Sequence, residues 1–178
     1  MSSKSFGRAI NDKETIMQAL ANYTSKACEK LRIQNGQAQA ICVFIRTNRF
    51  SSRDDQYSNS IIIPFEQPTN YTGIILQTAR KALDKLYKPQ YQYHKAGIIL
   101  LDIMPKTNIQ LNMLIPQEKT QKTVLINSID QINIKLGNNL VRFAAQGIGR
   151  EEPWQLRSNL RSPRFTTNWL EIPIAQAD

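Results

Sequence analysis

The 178-residue chain is poor in the side chains that build metal sites and active centres. It has two cysteines, Cys28 and Cys42, and one histidine, His94. The cysteines form no Cys-x-x-Cys pair. A structural zinc takes about four Cys or His ligands, so no metal is expected. Both thiols read as reduced, small core or helix residues. A single histidine supports no Ser-His-Asp triad; beside Tyr91 and Tyr93, His94 reads as structural or as a phosphate contact. Gly147-Ile148-Gly149 lacks the Lys-Ser/Thr that completes a phosphate loop. Two-metal nucleotidyl transfer needs several converging carboxylates. The acidic residues here are scattered, with Asp54 and Asp55 in a polar loop. No catalytic residue and no cofactor are therefore expected. No apolar run approaches the roughly 18 residues of a membrane span, and the N-terminus lacks the apolar core of a signal peptide. A cytoplasmic location without a membrane partner is expected.

Acidic residues are also few: 14 Asp and Glu stand against 23 Lys and Arg, a net charge of +9. An excess of this size favours a polyanionic partner through counterion release.

The apolar pattern alternates between strand and helix periods. Residues 4–8 read as a short edge strand. Asn11 and Glu14 have the spacing of a capping box. The helix that follows puts Ile16, Leu20, Tyr23, Ala27 and Leu31 on one face. In a strand over residues 38–47, Ile41, Val43 and Ile45 point one way, and Cys42, Phe44 and Arg46 the other. Residues 49–58, beginning at Arg49, form a polar hairpin loop before an Ile-rich return strand over 59–65. A second helix over 71–87 aligns Ile75, Ala79, Leu83 and Leu86. A strand over 95–103 closes the series, with Ile98 and Leu100 towards the helices and Lys95, Gly97 and Ile99 away from them.

The order β-α-β-β-α-β predicts an α+β fold, a four-stranded antiparallel sheet with two helices on one face. The other face is left free for a ligand. Residues 1–105 are expected to form this domain and 106–116 a linker. Residues 117–178 would be a small α+β or irregular C-terminal domain. Within it a helix over 117–136 carries a stripe of Leu125, Ile129, Ile132 and Leu136. Short strands are expected over 140–145 and 169–172.

Two peptides stand out. Gln110, Leu111, Met113 and Leu114 lie in the linker. Gln leading spaced apolar residues suits a groove-docking anchor of roughly micromolar affinity; from spacing alone, packing back on the chain's own domain is favoured. Residues 154–169 interleave Arg157, Arg161 and Arg164 with Phe165 and both tryptophans. They suit phosphate gripping and base stacking, or equally a lid over the third helix with solvated arginines.

Six segments in order carry a resemblance: SSKSFG at 2–7, VFIRT at 43–47, YHKAG at 93–97, QLNML at 110–114, FAAQG at 143–147 and SPRFTT at 162–167. Together they resemble the C-terminal portion of the UmuC family, catalytic subunits of the Y-family error-prone DNA polymerase V. The resemblance covers nearly the whole chain. It implies that residues 1–105 are a little finger domain whose open sheet face lies on primer-template duplex without reading sequence. Ser3, Lys4, Ser5, Arg46, Arg49 and Lys95 would be its DNA contacts. It implies that Gln110–Leu114 is a β-sliding-clamp motif, with Met113-Leu114 in place of the usual Leu-Phe. UmuD′ and RecA are implied as further partners, with no contact residues assigned. The palm, fingers and thumb are absent, so the resemblance implies a fragment whose catalytic half lies elsewhere on a parent polypeptide.

Two competing readings carry their own signatures. One is a protein-interaction module recruiting RecA or UmuD′ through the tail. The other is an RNA-binding domain of the RRM type, which needs exposed aromatics on its central strands. Phe44 alone answers that description.

Overall fold

A computed structural model of the chain describes residues 1–51, 55–106, 120–137, 140–147, 154 and 162–172. Six elements alternate as read from the sequence: β1 (Ser2–Ile10), α1 (Lys13–Ile33), β2 (Gly36–Thr47), β3 (Ser58–Thr69), α2 (Thr72–Leu86) and β4 (Tyr93–Pro105). A third helix, α3, spans Thr120–Leu136. The strands form one antiparallel sheet in the order β1-β4-β2-β3. The fold is the expected α+β arrangement, with β1 and β3 at the edges.

Helix α1 starts one residue later than the capping box suggests. Asp12 is the N-cap, its carboxylate accepting from the Thr15 backbone N–H at 2.7 Å and from the Thr15 hydroxyl at 2.5 Å. Two donors on one residue favour Asp12 over Asn11. Those hydrogen bonds hold the Asp12 carboxyl below its ordinary range.

The core lies between the sheet and the two helices. Ile41, Val43 and Ile45 of β2, and Ala96 and Ile98 of β4, are fully buried against Ile16, Leu20, Ile75, Ala79 and Leu83. Each Ile, Leu or Val among them contributes about 1.5–3 kcal/mol. Cys28 lies in this core, and burial pushes its thiol pKa up to about 12.

The C-terminal residues dock on the helix layer. Trp154 meets Tyr23 of α1 edge to face, centroids 5.7 Å apart. Gln146 is buried, and its side chain accepts from the Phe143 N–H at 2.9 Å. Asn133 of α3 and the Val141 backbone exchange two hydrogen bonds of 2.9 Å. The strongest tie is Arg32 at the end of α1. Its guanidinium grips both oxygens of Asp130 on α3, at 2.6 and 2.8 Å. The same group donates to the Asn70 carbonyl and the Thr72 hydroxyl. Lys122 of α3 sits 5.3 Å above the Tyr71 ring.

These contacts correct three expectations. Of the expected stripe, Leu125, Ile132 and Leu136 are exposed and Ile129 is half-buried, whereas Ile126 is the buried residue among the described side chains of α3. The ion pair of Asp130 and the cation–π contact of Lys122 turn the helix about a quarter-turn from its apolar stripe, as the 3.6-residue period places those positions. Residues 140–145 form no strand; Ala144–Gln146 is a 3₁₀ turn ended by Gly147 at φ 86°. Residues 169–172 likewise hold a 3₁₀ turn, Trp169–Glu171, capped by the Asn168 side chain.

Candidate nucleic-acid interface

The face of the sheet away from the helices is built by cross-strand register. Residues directly opposite share a face and lie about 4.5–5.5 Å apart. Pairing aligns Ser5, Lys95, Arg46 and Ser58 in one row across all four strands. The next row is Ser3, Gly97, Phe44 and Ser60. Beyond it come Ile99, Cys42 and Ile62, then Leu101, Ala40 and Pro64. The face thus grades from basic at the β2–β3 hairpin end to apolar at the other.

The basic row places Lys95 directly opposite Arg46. Like charges in that position repel. The row contains no carboxylate, and among the described residues neither side chain forms an ion pair. An anion between them would relieve the repulsion. The flanking hydroxyls of Ser5 and Ser58 add neutral donors of the kind that also bind phosphate.

Gly97 sets the next row. A Cβ there would lie 2.3 Å from Ser3 Cβ and 2.6 Å from the tip of the Phe44 ring. The missing side chain lets Phe44 lie flat across β4 towards β1, which keeps the centre of the face low. Cys42 is half-buried in the row beyond, and burial, opposed by a hydrogen bond with Ser60, raises its pKa.

The hairpin end is braced from below by aromatics. Tyr57 stacks on Tyr91, centroids 4.6 Å apart, and its hydroxyl donates to the Leu86 carbonyl at 2.8 Å. The buried Tyr93 hydroxyl accepts from the Lys88 N–H at 2.8 Å. Lys88 lies 5.1 Å above the Tyr57 ring. This cluster holds the hairpin base against the start of β4, where Lys95 sits.

The sequence-predicted contacts divide. Ser3, Ser5, Arg46 and Lys95 come together on the open face. Lys4 pairs with the buried Ala96 and so belongs to the helix side of edge strand β1, where it is exposed. Arg49 is exposed at the hairpin tip, beyond the last strand pair. Gln110, Leu111, Met113, Leu114, Arg157 and Arg161 lie outside the described residues. Arg164 is engaged within the tail: its backbone N–H and guanidinium both donate to Glu171, the closest guanidinium contact at 2.7 Å. These bonds hold the Glu171 carboxyl below its ordinary range. Sequence alternation placed Phe44 and Gly97 on the open face, but only register puts them opposite one another.

The contacts of the described C-terminal residues do not fall on this face. The contacts of α3, Phe143, Gln146 and Trp154 described above fall on α1, on the turn before α2 and on one another. Arg46 and Ile62 stay exposed. No helix among the described residues is long and apolar enough to cross a membrane.

Comparison with known proteins agrees with this layout. Residues 1–113 match the model of the impB/mucB/samB family C-terminal domain. The chain belongs to the impB/mucB/samB family. Residues 124–175 match a second family model, a domain of unknown function. Among relatives, Protein ImpB of Salmonella typhimurium is 32% identical over 177 residues, which cover 98% of this chain and 41% of ImpB. Protein UmuC of Salmonella typhimurium strain LT2 is 32% identical over 173 residues, 96% of this chain and 40% of UmuC. Protein MucB of Escherichia coli is 34% identical over 174 residues, 97% of this chain and 40% of MucB. The chain thus spans about two fifths of the length of these impB/mucB/samB relatives, and the resemblance to the UmuC family is borne out.

Proposed function

We propose that this chain is the DNA-holding region of a Y-family translesion polymerase, gripping primer-template duplex through its phosphates and tethered to a sliding clamp. The observation that carries the proposal is the Arg46–Lys95 couple, without an ion-pair partner among the described residues, on a sheet face where Arg46 and Ile62 are exposed. Phosphate contacts fix position without reading sequence. A hand that holds the backbone tolerates a damaged base, because the lesion is not what it binds. Ser3 and Ser5 complete the grip from β1, Arg49 extends it past the hairpin, and Lys4 reaches a backbone only from the sheet edge. Catalysis belongs to the parent polypeptide in this reading, and the chain alone incorporates no nucleotide.

Duplex titration at several salt concentrations tests the grip. Affinity is expected to fall steeply with salt. Arg46→Ala and Lys95→Ala should each flatten the log–log slope by about one. Binding that is salt-independent, or slopes unchanged in both variants, would remove the open face from the account.

The tether is assigned to Gln110, Leu111, Met113 and Leu114. The Gln amide meets a polar pocket and the apolar side chains fill a neighbouring one. Linked on one chain, two weak grips raise each other's effective concentration. Replacing Gln110 and Leu111 together by Ala should abolish retention on immobilised sliding clamp; full retention would assign clamp binding to another segment.

A second reading has one observation in its favour. Phe165, Trp169 and Leu170 expose large apolar surfaces on the tail, in the manner of anchors that fill pockets on a protein partner. It is the protein-interaction module recruiting RecA or UmuD′, and duplex affinity too weak to measure would favour it.

A further inference from the structure

The β2–β3 hairpin tip carries a side chain that the proposed grip does not use. Phe50 is 94% exposed, the most exposed aromatic among the described residues. A lone exposed apolar residue needs no explanation in general. The setting of this one is unusual. The Ser51 N–H donates to the Asn48 carbonyl at 3.1 Å, which closes a turn with Arg49 and Phe50 at its two central positions. Such positions usually hold Gly, Pro, Asn or Asp.

The turn is also braced. The Asn48 side chain accepts from the Phe50 N–H at 3.1 Å. The Gln56 amide donates to the carbonyls of Asn48 at 3.0 Å and Ser51 at 2.9 Å. Below it, the Thr47 N–H donates to the Tyr57 carbonyl at 2.9 Å, and the Tyr57 N–H to the Thr47 hydroxyl at 3.0 Å. Side chains on both arms therefore hold an Arg-Phe pair in a fixed place. That place lies just past the Arg46–Ser58 pair, in the row that also holds Lys95 and Ser5.

We infer that Phe50 is a stacking residue for an unpaired base at the junction between duplex and single strand. The inference rests on the duplex-holding reading of the open face and adds a structural preference to it. A duplex offers its base faces only where the stack ends. An aromatic ring beside a phosphate-gripping row therefore finds a π face at a junction and none along the helix. Arg49, adjacent in the turn, supplies a cation for the strand that leaves the duplex. Base–aromatic stacking is sequence-tolerant, because every base has a π face. It suits a hand that must accept any template.

The test compares the 178-residue chain on blunt duplex and on the same duplex with a 5′ single-stranded extension, at one salt concentration. Wild type should prefer the junction about tenfold, within the range for one stacked base. Phe50→Ala should lose that preference while keeping its affinity for blunt duplex and its salt slope. Phe50→Trp should keep the preference, with extra tryptophan emission that the junction quenches and blunt duplex leaves unchanged. Equal affinity of wild type for both DNAs, or a preference that survives Phe50→Ala, overturns the inference and leaves duplex holding intact. Failure to bind either DNA overturns both.

Discussion

Arg32→Ala is expected to lower the unfolding free energy by about 3 kcal/mol, the cost of breaking a largely buried ion pair from one side. The Arg32 side chain is 9% exposed and that of Asp130 20%. Removing the guanidinium leaves the Asp130 carboxylate without its two hydrogen bonds and strips a donor from both the Asn70 carbonyl and Thr72. The loss should appear in urea unfolding followed by circular dichroism. It should fall first on α3, which Lys122 over Tyr71 also ties to this layer. A double variant, Arg32→Met with Asp130→Leu, should recover most of the stability, because an apolar pair of similar volume avoids the desolvation that the ion pair suffers. If Arg32→Ala unfolds at the wild-type urea midpoint, the pair does not hold α3 to the helix layer.

Gly97→Val should damage fold and grip together. A Cβ at 97 would sit 2.3 Å from Ser3 Cβ, and the two methyls of Val crowd it further. The Phe44 ring can swing out, but Ser3 is held by the β1–β4 ladder, so the edge strand must shift. Overpacking of this kind costs about 2 kcal/mol. Moving β1 takes Ser3 and Ser5 away from Arg46 and Lys95, and the displaced Phe44 ring raises the centre of the face. Duplex affinity should therefore fall even under conditions where the variant is fully folded. Val at 97 with wild-type stability and affinity would show that the face does not depend on the flat packing of Phe44.

The sheet was legible in the sequence because its signal is periodic and local. The alternation at 41–46 sends Ile41, Val43 and Ile45 inward and Cys42, Phe44 and Arg46 outward, and the register agrees at each position. The core helix faces were legible for the same reason. α3 was not. Its stripe of Leu125, Ile129, Ile132 and Leu136 reports where apolar residues are, whereas its docking is decided by Asp130 and Lys122 meeting groups far away in sequence. The first N-cap was missed by one residue because Asn11 and Asp12 both have cap chemistry, and the choice falls to the donors on Thr15.

The candidate site was legible in part. Periodicity showed Arg46 and Lys95 on one face, but their direct opposition is a matter of register between distant strands. Lys4 read with Ser3 and Ser5 as one peptide, yet the pleat sends it to the other side. Phe50 read as part of a polar loop, and its prominence emerges only from the bracing by Asn48 and Gln56.

The central claim is that duplex DNA lies on the open sheet face, and the chain carries its own reporter of that face. Cys42 sits there between Ile99 and Ile62, while Cys28 is buried in the core with a pKa of about 12 and stays inert. The measurement is the rate of Cys42 alkylation by excess iodoacetamide at about pH 9, where a fraction of even this raised thiol is ionised, with and without saturating duplex. The expected result is a several-fold slowing with duplex that reverses at high salt. An unchanged rate in the presence of bound duplex would put the DNA on another surface and contradict the account.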